Sequence, residues 1–336
     1  MYINEGYDLL LNVCEINNSK KCKYFKKSSD VGEVMKEPKS VPELINKLEN
    51  GKSNLQKFSD EEVRIAESFF LYNNYYKFSV FPKLLPKVAG KQYTFLESLR
   101  LYDLDNLLKR LLSPIVLQIE ISMKARLASI LPSIYESTEF RKAECYLDDS
   151  IYTKPRVCHE VLNSFSETIM KSKEPFIVHH HKGRHGCIPI WVITEEITFG
   201  QLDHFISSLN SSLRKKLLIE MYDKENFVFV ISWISFVRHV RNITAHNSRL
   251  IGRKFVNIPK LKKEQKKLIM GKDNNSLIVL FSIFKEVITF ESDNVIGEWN
   301  QLLDIFGFAL EQNEHLVDYE LNGFYDGWSE DFKVNK

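Results

Sequence analysis

The chain has 336 residues, enough for one large domain or two modest ones. Its hydrophobic fraction of 44% and charged fraction of 27% are ordinary for a globular protein, and they exclude a disordered chain, a collagen-like fibre and a polytopic membrane protein. The 46 Lys and Arg against 44 Asp and Glu give a formal net charge of +2, which taken alone argues against a nucleic-acid binder.

Apolar positions recur at helical spacing along most of the chain, which predicts an all-α fold with at most short minor strands. Capping boxes that start at Ser59 and Thr94 predict helices that reach roughly Phe78 and Leu131. We expect Pro114 to interrupt or kink the second helix. Further helices are predicted over residues 156–170, 198–210, 212–222, 225–246, 276–287 and 295–310, and the helix over residues 198–210 is capped by Thr198 and Gln201. The short apolar stretches 176–178 and 188–192 leave strand pairing open.

The cysteines and the N-terminus indicate the cellular compartment. Five scattered cysteines form no CxxC pair, so we expect reduced thiols and neither a disulfide framework nor a structural zinc site. Residues 1–11 carry no signal-peptide pattern, and the most apolar stretch, 227–237, is too short to span a bilayer. These patterns predict a cytoplasmic protein without membrane contact.

A polar stripe lies at the end of the most apolar predicted helix. Arg238, Asn242, His246 and Arg249 share one side of it, opposite an apolar side. Arginine provides a permanent planar charge suited to phosphate, and histidine exchanges protons near neutral pH. The combination suits phosphodiester cleavage. The structural alternative is that His246 caps the helix C-terminus and that the arginines are solvated.

The polar stripe contains a pattern that resembles the R-x4-H motif of HEPN ribonucleases: Arg241, the polar Asn242 and then His246. The longer stretch 241–250 (RNITAHNSRL) resembles the signature of bacterial Abi (abortive infection) proteins of the AbiD/AbiF type. Earlier stretches resemble the landmarks of that family in the same order: Lys36-Glu37-Pro38, Asn74-Tyr75-Tyr76, Leu101-Tyr102-Asp103-Leu104-Asp105, Ile119-Glu120-Ile121, Pro175-Phe176-Ile177-Val178-His179, Pro189-Ile190-Trp191, Glu196 and Thr198-Phe199-Gly200. The resemblance extends over about residues 36–253.

The resemblance implies a HEPN-type helical bundle with additional N- and C-terminal helices. It also implies a two-fold homodimer whose facing motifs build one RNase site. The implied chemistry needs no metal or other cofactor: the 2′-hydroxyl attacks the adjacent phosphate, which restricts the substrate to RNA and excludes DNA. His246 would move the proton, Arg241 would clamp the phosphate and Asn242 would orient the pair, with Arg238 and Arg249 as auxiliary contacts. Such proteins resemble phage-defence toxins, some restrained by a structured non-coding RNA antitoxin.

The resemblance and the charge pattern together divide the chain into three parts. We expect a basic N-terminal extension over residues 1–35 and an Abi-type HEPN domain over residues 36–255. Residues 256–336 would form a basic linker followed by acidic C-terminal helices packed on the same body.

The near-zero net charge hides two opposed regions. Residues 286–331 hold twelve acidic residues and no Lys or Arg, whereas residues 1–285 carry a net charge of +12. One basic cluster lies between Lys20 and Lys27. A second cluster follows the R-x4-H motif directly and predicts an electrostatic track for RNA phosphates; it comprises Arg253, Lys254, Lys260, Lys262, Lys263, Lys266 and Lys267. The alternative is a solvated linker face.

Several weaker signals favour structural roles. The histidines at 179–181 match no zinc template, and Lys182 and Arg184 add positive charge that disfavours a cation, so we expect a polar loop and leave contact with RNA open. The family usually has an aromatic residue near His180, so the histidine run departs from its pattern. Glu120 and the acidic pairs 103/105 and 195/196 are expected to pair with core arginines such as Arg126. Tyr72, Tyr75 and Tyr76 are expected in the core. The functional alternative to a nuclease is a non-catalytic RNA-binding HEPN module that acts as a ribonucleoprotein scaffold.

Overall fold

The computed structural model describes residues 37–51 and 54–335, and these ranges contain helices but no strand. The all-α class is therefore confirmed. Two isolated β-bridges join Leu55 to Tyr93 and Tyr152 to Leu209. The predicted N-terminal extension and its lysine cluster lie outside the described residues.

The helices are α1 (Val41–Glu49), α2 (Asp60–Tyr72), α3 (Tyr75–Phe78), α4 (Phe95–Ile134), α5 (Pro155–Lys171), α6 (Pro175–Gly183), α7 (Ile190–Glu196), α8 (Phe199–Ser208), α9 (Ser211–Met221), α10 (Phe227–Ala245), α11 (Lys263–Leu268), α12 (Ile278–Ile288), α13 (Asp293–Glu311), α14 (Tyr319–Asn322) and α15 (Trp328–Asp331).

The predicted capping boxes are present at the starts of α2, α4 and α8. Ser59, Thr94 and Thr198 each accept a hydrogen bond from the backbone N–H three residues later, at 3.3, 3.0 and 3.2 Å. A side-chain oxygen at this position satisfies one of the backbone donors that a helix start leaves unpaired. The starts of these helices are therefore set by local sequence.

The helix predicted to reach Phe78 is instead two helices. Asn73 adopts an extended conformation that ends α2, and Asn74 accepts a hydrogen bond from the Tyr76 backbone N–H at 2.8 Å to start α3. Asparagine side chains compete with the helix for backbone hydrogen bonds, which explains the break. As a result, the chain turns between Tyr72 and Tyr75.

Helix α4 continues through Pro114 and ends at Ile134, so Pro114 does not interrupt the helix. Proline removes the hydrogen bond that residue 114 would donate to the carbonyl of Arg110. Both residues lie on the exposed side of α4, where water is able to serve that carbonyl. The opposite side buries Leu112 and Ile115, and this packing supports the helix on both sides of the proline.

The two stretches that left strand pairing open are helical. Residues 176–178 lie in α6, and most of residues 188–192 lie in α7. Pro175 occupies the first turn of α6 and Pro189 is the N-cap of α7, and proline is well suited to these positions. Helices α1 and α11 were not predicted, although Ser40 and Glu43 form a capping box at the start of α1.

Helix α4 is the centre of the molecule and contacts α7, α9, α10 and α13. The C-terminal helices add an aromatic cluster around Phe281, whose ring lies 4.6 Å from that of Trp328. Nζ of Lys262 lies 2.6 Å from Oε2 of Glu286, and this ion pair links the basic segment after α10 to the acidic region. Within the described ranges, no helix has the length and apolar character that a membrane crossing requires.

Candidate functional site

The end of α10 has a defined geometry. The backbone N–H of Ser248 donates to the carbonyl of Ile243 at 2.8 Å, and that of Asn247 donates to the carbonyl of Thr244 at 3.0 Å. Asn247 has a positive φ of 47°, which asparagine adopts more readily than most residues. This arrangement is a Schellman motif, and it makes His246 the C-cap of the helix. The His246 side chain is exposed and has no hydrogen-bond partner among the described residues.

Arg241 is held by a carboxylate from the central helix. Its Nε donates to Oε2 of Glu120 at 3.0 Å, and the Glu120 side chain is only 6% exposed. Lys124 lies 3.6 Å from the other carboxylate oxygen. Because the bond uses Nε, the terminal Nη groups of Arg241 have no hydrogen-bond partner within the described part of the chain and remain available to an anion.

The other polar residues of α10 have different surroundings. Arg238 donates from Nε to Asp203 of α8 at 2.7 Å. Asn242 is half-buried, and its backbone carbonyl accepts from the His246 N–H at 3.0 Å. The structure thus brings Arg241, Asn242 and His246 to one end of α10, whereas Arg238 lies one turn back in an ion pair with Asp203.

Glu120 has a structural partner, as expected, but the partner is not Arg126. Arg126 instead donates from Nη1 to the carbonyl of Met221 at 3.3 Å and from Nη2 to the carbonyl of Phe290, and it lies 3.4 Å from Glu291. Arg126 lies six positions beyond Glu120 on α4, about 1.7 turns, and therefore faces a different neighbour. The pairing of Glu120 with Arg241 was not predicted, although the landmark at 119–121 pointed to this position.

Asp105 anchors the turn that follows the motif. Its side chain is fully buried, and Oδ1 accepts hydrogen bonds from the backbone N–H groups of Leu250 and Ile251, both at 2.7 Å. Its Oδ2 lies 2.9 Å from Nζ of Lys109, which also donates to Asn247 at 2.6 Å. Asp105 thus has a lysine and backbone groups as partners, not the core arginine that was expected.

Two of the three tyrosines expected in the core are on the surface. Tyr75 is buried, but Tyr72 is 87% exposed and Tyr76 is 75% exposed. Tyr72 is the last residue of α2 and lies off the buried side formed by Ala66 and Phe70. Tyr76 follows the break between α2 and α3, and the helical spacing used for the prediction does not extend across this break. Tyr76 lies next to Lys77, whose Nζ donates to the carbonyl of His246 at 3.4 Å. Lys77 and Lys109 were not predicted as neighbours of the motif, because their contacts with it join residues far apart in the sequence.

The predicted basic track after the motif is divided in the structure. Arg249 and Arg253 are half-buried close to Asp105, and the Nε of Arg253 donates to the carbonyl of Arg249 at 2.5 Å. Lys254 and Lys262 are in ion pairs with Asp273 and Glu286. The remaining lysines are exposed and have no ion-pair partner in residues 37–51 and 54–335; they are Lys260, Lys263, Lys266 and Lys267.

The histidine run was expected in a polar loop, and it lies instead in the last turn of α6. Nδ1 of His180 is 3.1 Å from the carbonyl oxygen of Cys187. In the part of the chain that the structure describes, no group of three or more His, Cys, Asp or Glu side chains is arranged to hold a metal ion.

Comparison with known proteins places the chain within one family. Searches of curated proteins and of solved structures found no match. The model of the family described as Abi-like protein matches residues 68–252, which include α4, α10 and the R-x4-H motif. This match covers more than half of the 336 residues. The chain therefore belongs to the Abi-like protein family.

Proposed function

We propose that this chain is a metal-independent endoribonuclease of the HEPN type that acts, toxin-like, in abortive infection. The observation that carries the proposal is that the buried Glu120 holds Arg241 and that the exposed His246 follows at the same end of α10. A fixed guanidinium and an accessible imidazole at one end of a helix suit phosphodiester cleavage. Membership of the Abi-like family supports the role in phage defence.

The proposed reaction uses the RNA itself as the nucleophile. The 2′-oxygen forms a bond to the adjacent phosphorus while the bond from phosphorus to the 5′-oxygen breaks. The imidazole of His246 accepts the 2′-hydroxyl proton, and a second proton reaches the leaving 5′-oxygen. Arg241 stabilises the charge on the phosphate oxygens, and Asn242 orients the pair. The products are a 2′,3′-cyclic phosphate and a 5′-hydroxyl.

A homodimer would supply both proton-transfer groups, since each protomer contributes one His246. Support comes from the exposed apolar side chains Leu117 and Ile121 of α4, which are 49% and 47% exposed and flank Glu120 in the sequence. Apolar side chains at such a position favour contact with a second copy. The two sites would then face each other across the two-fold axis.

A structured RNA is the proposed partner and restraint. The exposed lysines Lys260, Lys263, Lys266 and Lys267 support it because unpaired surface cations gain most from phosphate contact. They follow the motif in the sequence and extend the basic surface beyond Arg253. A non-coding RNA bound here would act as an antitoxin, and the protein would act in the cytoplasm.

The test is cleavage of labelled RNA by the purified protein in excess chelator. We expect products that end in a cyclic phosphate, and we expect no cleavage at a site whose 2′-hydroxyl is replaced by hydrogen. Arg241→Ala and His246→Ala should abolish cleavage. The matched controls are Arg156→Ala and His159→Ala, two exposed residues of α5.

Full activity in Arg241→Ala or His246→Ala would overturn the proposal. RNA binding without cleavage in the wild-type protein would instead favour the non-catalytic RNA-binding module.

A further inference from the structure

A pocket of about 270 Å³ lies directly beside the motif. Its walls come from α3, from α4 and from the turn after α10. Tyr76 and Tyr102 contribute aromatic rings, and Lys77, Arg249 and Arg253 contribute positive charge. The deepest polar groups are the buried side chains of Asp105 and Lys109.

The charges in this pocket do not balance. Oδ2 of Asp105 is paired with Lys109 at 2.9 Å, and its Oδ1 is used by two backbone N–H groups. Among the described residues, no carboxylate lies within ion-pair distance of Lys77, Arg249 or Arg253. Burial, and then the charge of Arg253, lower the pKa of Arg249, while the charge of Asp105 acts in the opposite direction. A half-buried excess of positive charge favours a bound anion.

The two tyrosine rings of the pocket differ in how accessible they are to a ligand. The hydroxyl of Tyr102 donates to Asn73 at 3.2 Å, and its ring packs edge-on against Phe81, so Tyr102 is part of the wall. Tyr76 is 75% exposed, so its ring is accessible from solvent. An exposed aromatic ring next to cations is the combination that binds a base and its phosphate in single-stranded RNA.

The pocket begins within one residue of the proposed catalytic histidine. Nζ of Lys77 donates to the carbonyl of His246 at 3.4 Å, and Lys109 donates to the side chain of Asn247 at 2.6 Å. A strand whose phosphate lies at Arg241 and His246 would therefore place a neighbouring nucleotide at this pocket.

We propose that the pocket binds one nucleotide of the RNA strand next to the scissile phosphate. Lys77, Arg249 and Arg253 contact its phosphate, and Tyr76 stacks on its base. The inference rests on the proposed function for the identity of the strand as substrate. It adds a binding site from α3 and α4 that the motif itself does not contain.

The test measures binding separately from cleavage, with a short fluorescent RNA whose 2′-hydroxyls are methylated so that it binds uncut. We expect Tyr76→Ala to raise the Kd about tenfold through the loss of one stacked base. Lys77→Ala should reduce the slope of log Kd against log salt concentration by about 0.7, the value for one lost phosphate contact on a single strand. The matched controls are Tyr72→Ala and Lys83→Ala, exposed residues that do not line the pocket.

The outcomes separate this inference from the proposed nuclease activity. If Tyr76→Ala and Lys77→Ala bind RNA like their controls, the pocket assignment is wrong, whether or not the protein cleaves RNA. If both variants lose affinity while the wild-type protein cleaves nothing, the pocket assignment holds and the nuclease proposal fails. Saturable binding of adenosine 5′-monophosphate that Tyr76→Ala abolishes, with unchanged affinity for the RNA, would overturn the assignment to a strand.

Discussion

Glu120 and Arg241 are 121 positions apart in the sequence and meet through one hydrogen bond of 3.0 Å between α4 and α10. The carboxylate is almost fully buried, whereas the guanidinium is 36% exposed. Glu120 therefore fixes one edge of Arg241 and leaves the other edge toward solvent. The orientation of the proposed phosphate clamp depends on a residue outside the R-x4-H motif.

Glu120→Gln should weaken cleavage through the position of Arg241. The neutral amide keeps the shape but loses the charge, so we expect kcat to fall about tenfold to a hundredfold. The free energy of unfolding should fall by about 1–2 kcal/mol, because solvent screens the partly exposed arginine. Single-turnover cleavage and urea unfolding measure the two effects.

The matched control for this substitution is Glu160→Gln, which breaks the exposed pair of Arg156 and Glu160 on α5. It should change stability by no more than about 0.5 kcal/mol. An unchanged kcat in Glu120→Gln would show that Arg241 does not need its carboxylate.

Gly252→Ala should be more destabilising than Gly271→Ala. Both glycines have positive φ values, 67° and 69°, so both pay the cost of a left-handed alanine, about 1–2 kcal/mol. A Cβ at Gly252 would also lie 2.6 Å from Cδ2 of Leu84, whereas at Gly271 it would meet no atom within 4 Å. The difference in unfolding free energy between the two variants measures the cost of the contact with Leu84. Equal unfolding free energies would contradict the prediction.

Ile121→Glu should dissociate the proposed dimer. A carboxylate in an apolar contact between two copies would be desolvated without a partner, which disfavours association. Light scattering after size-exclusion chromatography should show a monomer, and cleavage should be lost with it. Val256→Glu is the control, since Val256 is 86% exposed on the segment after α10. A dimer that persists in Ile121→Glu would place the interface elsewhere.

His239 should make the protein less stable in acid. Its Nε2 is buried without a hydrogen-bond partner in the described part of the chain, and burial, then the charges of Arg253 and Arg238, lower its pKa. The unfolded chain, where the pKa is near 6.5, therefore takes up this proton more readily than the folded protein. Stability contributed by neutral His239 is complete above pH 6.5 and is lost as the pH falls below it.

His239→Gln should remove this part of the pH dependence. Urea unfolding at pH 7.5 and pH 5.5 should show a smaller loss of stability than in the wild-type protein. His204→Gln, at an exposed position of α8, should leave the loss unchanged. An equal loss in His239→Gln and the wild-type protein would show that His239 does not titrate differently on folding.

Local features of the fold were predictable, and features that depend on distant partners were not. The caps at Ser59, Thr94 and Thr198 follow from residues three positions apart, and the helices start where they predict. Whether Pro114 interrupts α4 was not predictable, because the effect of the proline depends on which side of α4 faces solvent, and only the packing of the other helices decides this.

In the candidate site, too, local features were predictable and contacts between distant residues were not. The R-x4-H spacing alone places Arg241 and His246 at one end of a helix. Glu120 was expected to need a partner, but choosing Arg241 over Arg126 requires the three-dimensional arrangement of α4 and α10. Tyr76 was misplaced because Asn73 and Asn74, which end one helix and start the next, interrupt the periodicity that the prediction relied on.

The contacts of Arg126 limit how far the protein can be shortened. Arg126 forms an ion pair with Glu291 and donates hydrogen bonds to the carbonyls of Met221 and Phe290. It lies on the same helix as Glu120. A fragment that stopped after the matched region, 68–252, would remove Glu291 and expose the side of α4 that α13 covers. The part of the chain that contains the R-x4-H motif and the acidic region therefore share one structural support, and a minimal version of the candidate site has to retain both.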